Sequence, residues 1–484
     1  MTAALLLAMH GRKVIVVEKG SRLGGSMLRY RREGVPFDTG FHFTGGFAGN
    51  RLLHDMLSVL RMRDAIQPIY LTGEHCNQFI IESLGRTFDM PCGIGAMKAS
   101  LKRDFPGESA AIDGFLDRVV KVCEGTASMD LAAIAVSPVM LAEDTITLQE
   151  VLDGLTGNAA LKSLLSALCM CYGTRPNEVS FANHSRMCLG LYESIARVEG
   201  GGEAFAKAFQ RRFRELGIEV RCGRFIAGAA DIRNQQVGRF VLNDGEEIAF
   251  KSCVFTIHPR SILGALPREL LTRAFVERVE AFESSAGFFA VFGVCDEAAA
   301  EADFGARIVS LFPDVDVNRL LDPRNHGDSA LVIIRSRETV QGRSVPVVCA
   351  FEPSFPEQVA AWADSRTGQR PPAYLEYKRR KAERIRERIE GESPGYRGHF
   401  RVLDSASILT FRDYLHSPDG SAYGVKQKVG QFNLVGRLPA LNCYAAGQSA
   451  ILPGFVGAML SSFVVVRAIL GKESFHGFVS RGMS

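Results

Sequence analysis

A chain of 484 residues has room for two or three lobes of roughly 100–200 residues each. Hydrophobic residues at 46% and charged residues at 23% are ordinary for a globular protein and exclude a disordered one. The formal net charge is only +4, and no basic block is interleaved with aromatics, which excludes a nucleic-acid groove.

In chain order, residues 1–9 (MTAALLLAM) predict an apolar helix with a small-residue face at Ala3, Ala4 and Ala8, ended by Gly11. Lys13 to Val17 (KVIVV) is a β-branched run, expected as a buried parallel strand with Glu18 at its carboxyl end. Helix, glycine, strand and acid make the second half of a βαβ unit. A dinucleotide fold places a strand and a G-x-G-x-x-G loop before this helix. The expectation is therefore that a strand and a glycine loop lie upstream of Met1.

Residues 51 to 200 read as mostly helical. Gly200-Gly201-Gly202 then opens a helix over Glu203 to Leu216, followed by the strand GIEVRC and a meander that turns at Asp244-Gly245. Ser252 to Ile257 reads as a core strand, and 285–400 as alternating strands and helices. Tyr374 to Glu390 is so densely charged with both signs that it predicts a solvated, self-paired helix. Asn442 to Ala446 is a strand, followed by a glycine-rich turn and a buried domain helix from Gly454 to Leu470. That last run carries Arg467 and, at 17 residues, is short for a membrane span. The 11 cysteines form no CxxC and are read as free or buried thiols, with no metal site expected.

Several pieces point to a nucleotide cofactor. Glu18 can accept hydrogen bonds from ribose hydroxyls, although many strands end in an acid. Arg22, Gly24 and Gly25 follow, and glycines there let the backbone approach a phosphate or ribityl chain. Phe37-Asp38-Thr39-Gly40-Phe41-His42 contains an Asp-Thr-Gly run that also serves as a plain turn. The densest signal is Tyr444 to Ala458 (YAAGQSAILPGFVGA). Its strand delivers Gly447 and Gln448 to a tight turn. Pro453-Gly454 then opens a helix whose free N–H groups face its N-terminus, ahead of Gly457 and Ala458. A helix N-terminus aimed at N1 and O2 of a reduced flavin would stabilise the negative charge there.

Glu18 with RLGG, FDTGFH, GSAYG at Gly420 to Gly424, and YAAGQSAILPGFVGA occur in order over nearly the whole chain. The set resembles the phytoene desaturase, carotenoid isomerase and retinol saturase group of flavoproteins, within the wider amine-oxidase-like superfamily. The resemblance implies an α/β fold: a discontinuous Rossmann-like FAD-binding domain (1–70, 195–265 and 405–484) plus a mixed α+β substrate domain rich in helices (71–194 and 266–404). It implies FAD, held by Glu18, Arg22, Gly24 and Gly25, with Ile226 at the adenine. The family's final Gly-Asp is Gly447-Gln448 here, so an amide stands where a carboxylate is usual.

The implied chemistry is hydride transfer at flavin N5, desaturating, saturating or isomerising C=C bonds of a long apolar polyene. His42 and Tyr423 are the acid/base candidates, with His258 as an outsider. The apolar segments Leu131 to Leu141 and Leu161 to Cys171 would suit a hydrocarbon tunnel. A polyene or lipid substrate implies peripheral membrane contact, and the absence of a secretory signal implies a cytoplasmic placement. Two other readings stay open: an amine oxidase-like flavoenzyme, and a non-catalytic relative without FAD.

Overall fold

The computed structural model describes residues 1–49, 51–134, 140–300, 304–325 and 327–483. Its first helix, Thr2–Met9, packs on the long helix Gly454–Leu470. Leu5, Leu6, Leu460 and Phe463 are fully buried there. Beside them lies the helix Gly202–Glu215, whose Phe205, Phe209 and Phe213 repeat every four residues and so fall on one buried face.

The strand Ile15–Glu18 pairs in parallel with Glu219–Cys222. A second small sheet joins Cys253–Phe255 in parallel to Cys443–Ala445, with Gly436–Arg437 antiparallel beyond. In the first sheet, Glu219 and Arg224 donate to the carbonyls of Val14 and Glu18. By the two-residue strand period, the N–H and C=O groups of Ile15 and Val17 point the other way. Cys253 N–H donates to Asn442 and Phe255 C=O accepts from Ala446, so Val254 likewise turns its backbone away from its partner. Among the described residues these two edges pair with no further strand, and both border one cavity. That open edge explains why Ile15 to Val17 are half-buried, where the β-branched run predicts full burial.

The rest of the chain builds a second layer system. Seven strands form a mixed sheet in the order Phe400–Ala406, Gly287–Cys295, Arg343–Ser354, Leu331–Val340, Ile308–Phe312, Asn77–Ile81 and Arg86–Asp89. Residues 285–400 alternate strands and helices along the chain as expected, and in space their strands assemble into this mainly antiparallel sheet. Their near-continuous apolar runs, such as FFAVFGV, are what strands covered on both faces require. A helical layer containing Ser109–Glu124, Leu148–Leu155, Ala159–Ser166 and Phe181–Glu193 shares one apolar core with the sheet edge at Phe79, Phe88 and Phe312. The short helix Ile408–Leu415 packs on Gly287–Cys295 and Phe400–Ala406, so this part of 405–484 lies on the sheet.

Two further expectations are corrected. The charged helix Pro372–Glu392 is not solvated all round: Lys381 is buried and meets the buried Glu352 at 2.9 Å, and Glu390 is buried too, while Glu376 and Glu383 pair with arginines on its exposed side. The segment Leu131 to Leu141 forms no helix among its described residues, and 135–139 lie outside them. The helix Gly454–Leu470 is buried as expected, and no helix among the described residues is long and apolar enough to cross a membrane.

Candidate functional site

The cavity between the two small sheets measures about 1920 Å³, well above the roughly 300–1,000 Å³ of a typical ligand pocket. The N-terminal segment contributes Glu18, Arg22, Gly25 and Thr39 to its walls, the meander contributes Phe225 and Ile226, and the C-terminal segment contributes Gly424, Gln448 and Ser449. Tyr30, Phe292, Ala406 and Phe411 extend it onto the large sheet. Four large apolar side chains on these walls stand in solvent: Phe225 at 45%, Ile257 at 45%, Leu375 at 54% and Tyr414 at 65% exposure.

Glu18 sits where its strand ends. One carboxylate oxygen accepts the Gly20 N–H at 2.6 Å, which shapes the turn and leaves the other oxygen for a ligand. Arg22 is largely exposed and reaches only Glu203, at 3.9 Å. Gly25 has φ +52, and no atom lies within 4 Å of the place a Cβ would take; Gly454 at φ +74 is the same. These two glycines leave open space that a side chain would fill. Gly447 and Gly457 are glycines for packing instead. A Cβ on Gly447 would come within 3.1 Å of the Thr256 carbonyl, and one on Gly457 within 2.1 Å of the Leu452 carbonyl.

Of the residues expected at the cofactor, Glu18, Arg22, Gly25, Ile226 and Gln448 line the cavity, whereas Gly24, Gly447, Pro453, Gly454, Gly457 and Ala458 do not. Three wall residues carry local order that the motifs do not reveal. Ser449 Oγ accepts the Val425 N–H at 3.3 Å and lies 2.1 Å from the place of a Cβ on Gly424, so only glycine fits there. His258 is the third. Its Nδ1 accepts the Arg260 N–H at 3.3 Å, which puts the ring proton on Nε2. Burial lowers its pKa and keeps it neutral, and Nε2 has no hydrogen-bond partner. The signal for His258 was its place just past a core strand and before a proline.

His42 and Tyr423 do not line this cavity. They stand at the two ends of an aromatic row on the sheet: the Tyr423 ring lies 6.1 Å from Phe288, Phe288 6.2 Å from Phe351, and Phe351 4.3 Å from His42. Burial, then the charge of Arg29, pushes His42 down to about 3, so it is neutral at physiological pH. Burial raises the Tyr423 phenol far above its ordinary value. The segment Leu161 to Cys171 lines a cavity of only about 30 Å³, together with Phe43, Ile195 and Ile308. That is space for about one water, so these apolar residues are packed core and no hydrocarbon tunnel is open along them.

Asp38 of the FDTG run is structural. It pairs with Arg29 at 3.1 Å, and Arg29 pairs with Glu338 of the large sheet at 2.6 Å. Neither Arg29 nor Glu338 carries a sequence signal, because the pair is brought together across 309 residues.

The donor set fits a flavin dinucleotide. An acid with a spare oxygen, Gly25 facing open space, the exposed guanidinium of Arg22 and an unpartnered imidazole N–H offer contacts to hydroxyl and phosphate oxygens, beside apolar walls for ring systems.

Comparison with known proteins agrees with this chemistry. Residues 1–292 match the family described as flavin containing amine oxidoreductase. The all-trans-retinol 13,14-reductase of Danio rerio is 23% identical over 98% of this chain and 84% of its own length. The human all-trans-retinol 13,14-reductase is 21% identical over 98% and 84%. Among solved structures, an oxidoreductase from Methanosarcina mazei superposes with a TM-score of 0.61 at 13% identity, covering 97% of this chain and 96% of its own.

Proposed function

We propose that this chain, which belongs to the flavin-containing amine oxidoreductase family, holds FAD in the large cavity and reduces a C=C bond of a long apolar polyene of retinoid or carotenoid type. The observation that carries this reading is the extent of the similarity. The retinol reductases align over essentially the entire chain, both nucleotide-binding segments and substrate layers included.

Bound FAD would supply the hydride chemistry at N5, while the protein supplies binding, orientation and a dry site. Glu18 would accept ribose hydroxyls, Arg22 and His258 would donate to phosphate or hydroxyl oxygens, and Gly25 would let the backbone come close. Gln448 would hydrogen-bond as an amide and add no charge. The apolar face made by Tyr30, Phe292, Ala406 and Phe411 offers a polyene a surface free of water. His42 is held neutral by burial and by the charge of Arg29, so it is suited to share a hydrogen bond and unsuited to take up a proton as a general base.

The exposed Phe225, Ile257, Leu375 and Tyr414, with the exposed Lys19 and Lys251 on the same cavity walls, would rest on a bilayer surface from which the substrate is drawn.

The test is anaerobic. The protein is loaded with FAD, reduced chemically and given all-trans-retinol, with products resolved by mass. A product two hydrogens heavier is expected. Failure to bind flavin would promote the non-catalytic reading. Flavin reduction by primary amines, with no action on retinol, would favour an amine oxidase.

A further inference from the structure

Cys76 and Cys92 flank the hairpin Asn77–Ile81 and Arg86–Asp89, and their sulfurs stand 3.7 Å apart in a thiol–thiol hydrogen bond. The hairpin itself enforces this approach, because the Met90 N–H donates to Asn77 O at 2.9 Å and carries the ladder to the neighbours of both cysteines. Cys76 is buried at 2% exposure, whereas Cys92 is half-buried and open to a small reagent. The contact with Cys92 draws the Cys76 thiol down to about 6, while that same contact, then burial, pushes the Cys92 thiol up, so Cys76 is the thiolate of the pair. The thiolate is the reactive form, and low-pKa thiols beside a second thiol are suited to exchange.

We propose that Cys76 and Cys92 are a redox-modification site that closes reversibly to a disulfide. The oxidant is a hydroperoxide, R′OOH. One thiolate sulfur attacks the outer peroxide oxygen, the O–O bond breaks, and the alcohol leaves with a proton, giving a sulfenic acid. The second sulfur attacks the sulfenic sulfur, the S–O bond breaks, and water leaves with the second thiol's proton. In sum, two thiols and R′OOH give one disulfide, R′OH and water, with two electrons passing from sulfur to oxygen. The sulfurs have to close to about 2.05 Å, a movement within reach of side-chain rotation.

The bond would tie two layers together. The Ile308 N–H of the large sheet donates to Cys76 O at 2.9 Å, and the Gly93 N–H donates to Tyr192 O, at the end of the helix Phe181–Glu193, at 2.8 Å. The oxidised form therefore fixes the helical layer to the sheet beside Ile195 and Ile308.

The experiment exposes the full chain to stoichiometric hydrogen peroxide, blocks remaining thiols and digests with trypsin without reductant. Cleavage at Arg63, Arg86 and Lys98 puts the two cysteines on separate peptides, 64–86 and 87–98. A linked species two hydrogens lighter than their sum, lost on adding dithiothreitol and absent from Cys76→Ser and Cys92→Ser, is expected. The free-thiol count should fall by two. Unlinked peptides, higher oxides of Cys92, or linkage of either cysteine to another partner would overturn the proposal. The wild-type peptide map decides the matter even if a variant folds poorly.

Discussion

Asp38 Oδ1 accepts the backbone N–H of Gly202 at 2.9 Å, joining the Asp-Thr-Gly turn to the start of the helix Gly202–Glu215 across 164 residues. The approach is so close that a Cβ on Gly201 would sit 2.2 Å from this oxygen, and one on Gly202 would sit 2.6 Å from the Met27 carbonyl. Asp38→Ala leaves that N–H unpaired and Arg29 short of a carboxylate. A loss of about 3 kcal/mol or more in unfolding free energy is expected in a denaturant titration, with Asp38→Asn, which keeps an acceptor for Gly202, losing less. Burial pushes Asp38 up to about 6 against the pull of Arg29 and Gly202. A raised folded-state value means its contribution to stability is full below about pH 4 and is lost as pH rises through 6. Asp38→Asn should remove that part of the pH slope; an unchanged slope would refute the assignment.

The elements around the large cavity were largely legible in the sequence, because their signals are local. Helix, glycine, strand and acid run through 1–18, and the stretch Tyr444 to Ala458 carries strand, turn and helix start within 15 residues. The seven-stranded sheet and its helical layer were less legible. Runs such as FFAVFGV do not say whether they are strand or helix, and seven strands from distant segments meet only in the folded chain. The Arg29–Asp38–Glu338 cluster and the orphaned proton of His258 were invisible for the same reason. The neighbours that define them are either far away in sequence or made by backbone geometry alone.

Acid lability should trace in part to two buried histidines. His42 and His184 are both lowered to about 3, mainly by burial. His184 is neutral within a hydrogen-bonded chain, with Tyr172 Oη at 2.7 Å on Nδ1 and Tyr192 Oη at 3.0 Å on Nε2. Unfolded histidine takes up a proton near 6.5, and these folded ones do not. Their stabilisation is therefore present above pH 6.5 and is lost as pH falls from 6.5 towards 3, by up to about 1.4 kcal/mol per pH unit for each. His42→Phe should flatten the fall of unfolding free energy over this range. An identical pH dependence in wild type and variant would rule this out.

Flavin affinity should depend on Glu18 and His258 in different ways. Glu18→Ala removes a charged acceptor and also frees the Gly20 N–H, so roughly tenfold or greater weakening is expected. Glu18→Gln, which keeps an oxygen for Gly20, should lose less. His258→Ala removes one neutral donor to the ligand, and also the acceptor of the Arg260 N–H, and a few-fold weakening is expected. Both are read by quenching of flavin fluorescence on titration into protein. In the flavin-free protein, ¹⁵N spectroscopy should show His258 as the neutral Nε2–H tautomer. Wild-type affinity in His258→Ala would remove this residue from the site.

Leu375 and Tyr414 offer the sharpest test of membrane contact, because they are the most exposed of the apolar wall residues, at 54% and 65%. A charge at such a position should change folding stability by no more than about 0.5 kcal/mol. In a bilayer interface the same charge opposes insertion of the apolar rim, while exposed cations on the cavity walls, Lys19 and Lys251, favour anionic lipid by about 1 kcal/mol each. The double variant Leu375→Glu, Tyr414→Glu should therefore sediment with anionic liposomes several-fold less than wild type, with its melting curve unchanged. Raising the salt should weaken the wild type as well, since screening acts on the cationic part of the attraction. Equal sedimentation of variant and wild type would place any membrane contact elsewhere on the molecule, and turnover of retinol supplied in liposomes, compared with retinol in detergent, would then no longer distinguish the two proteins.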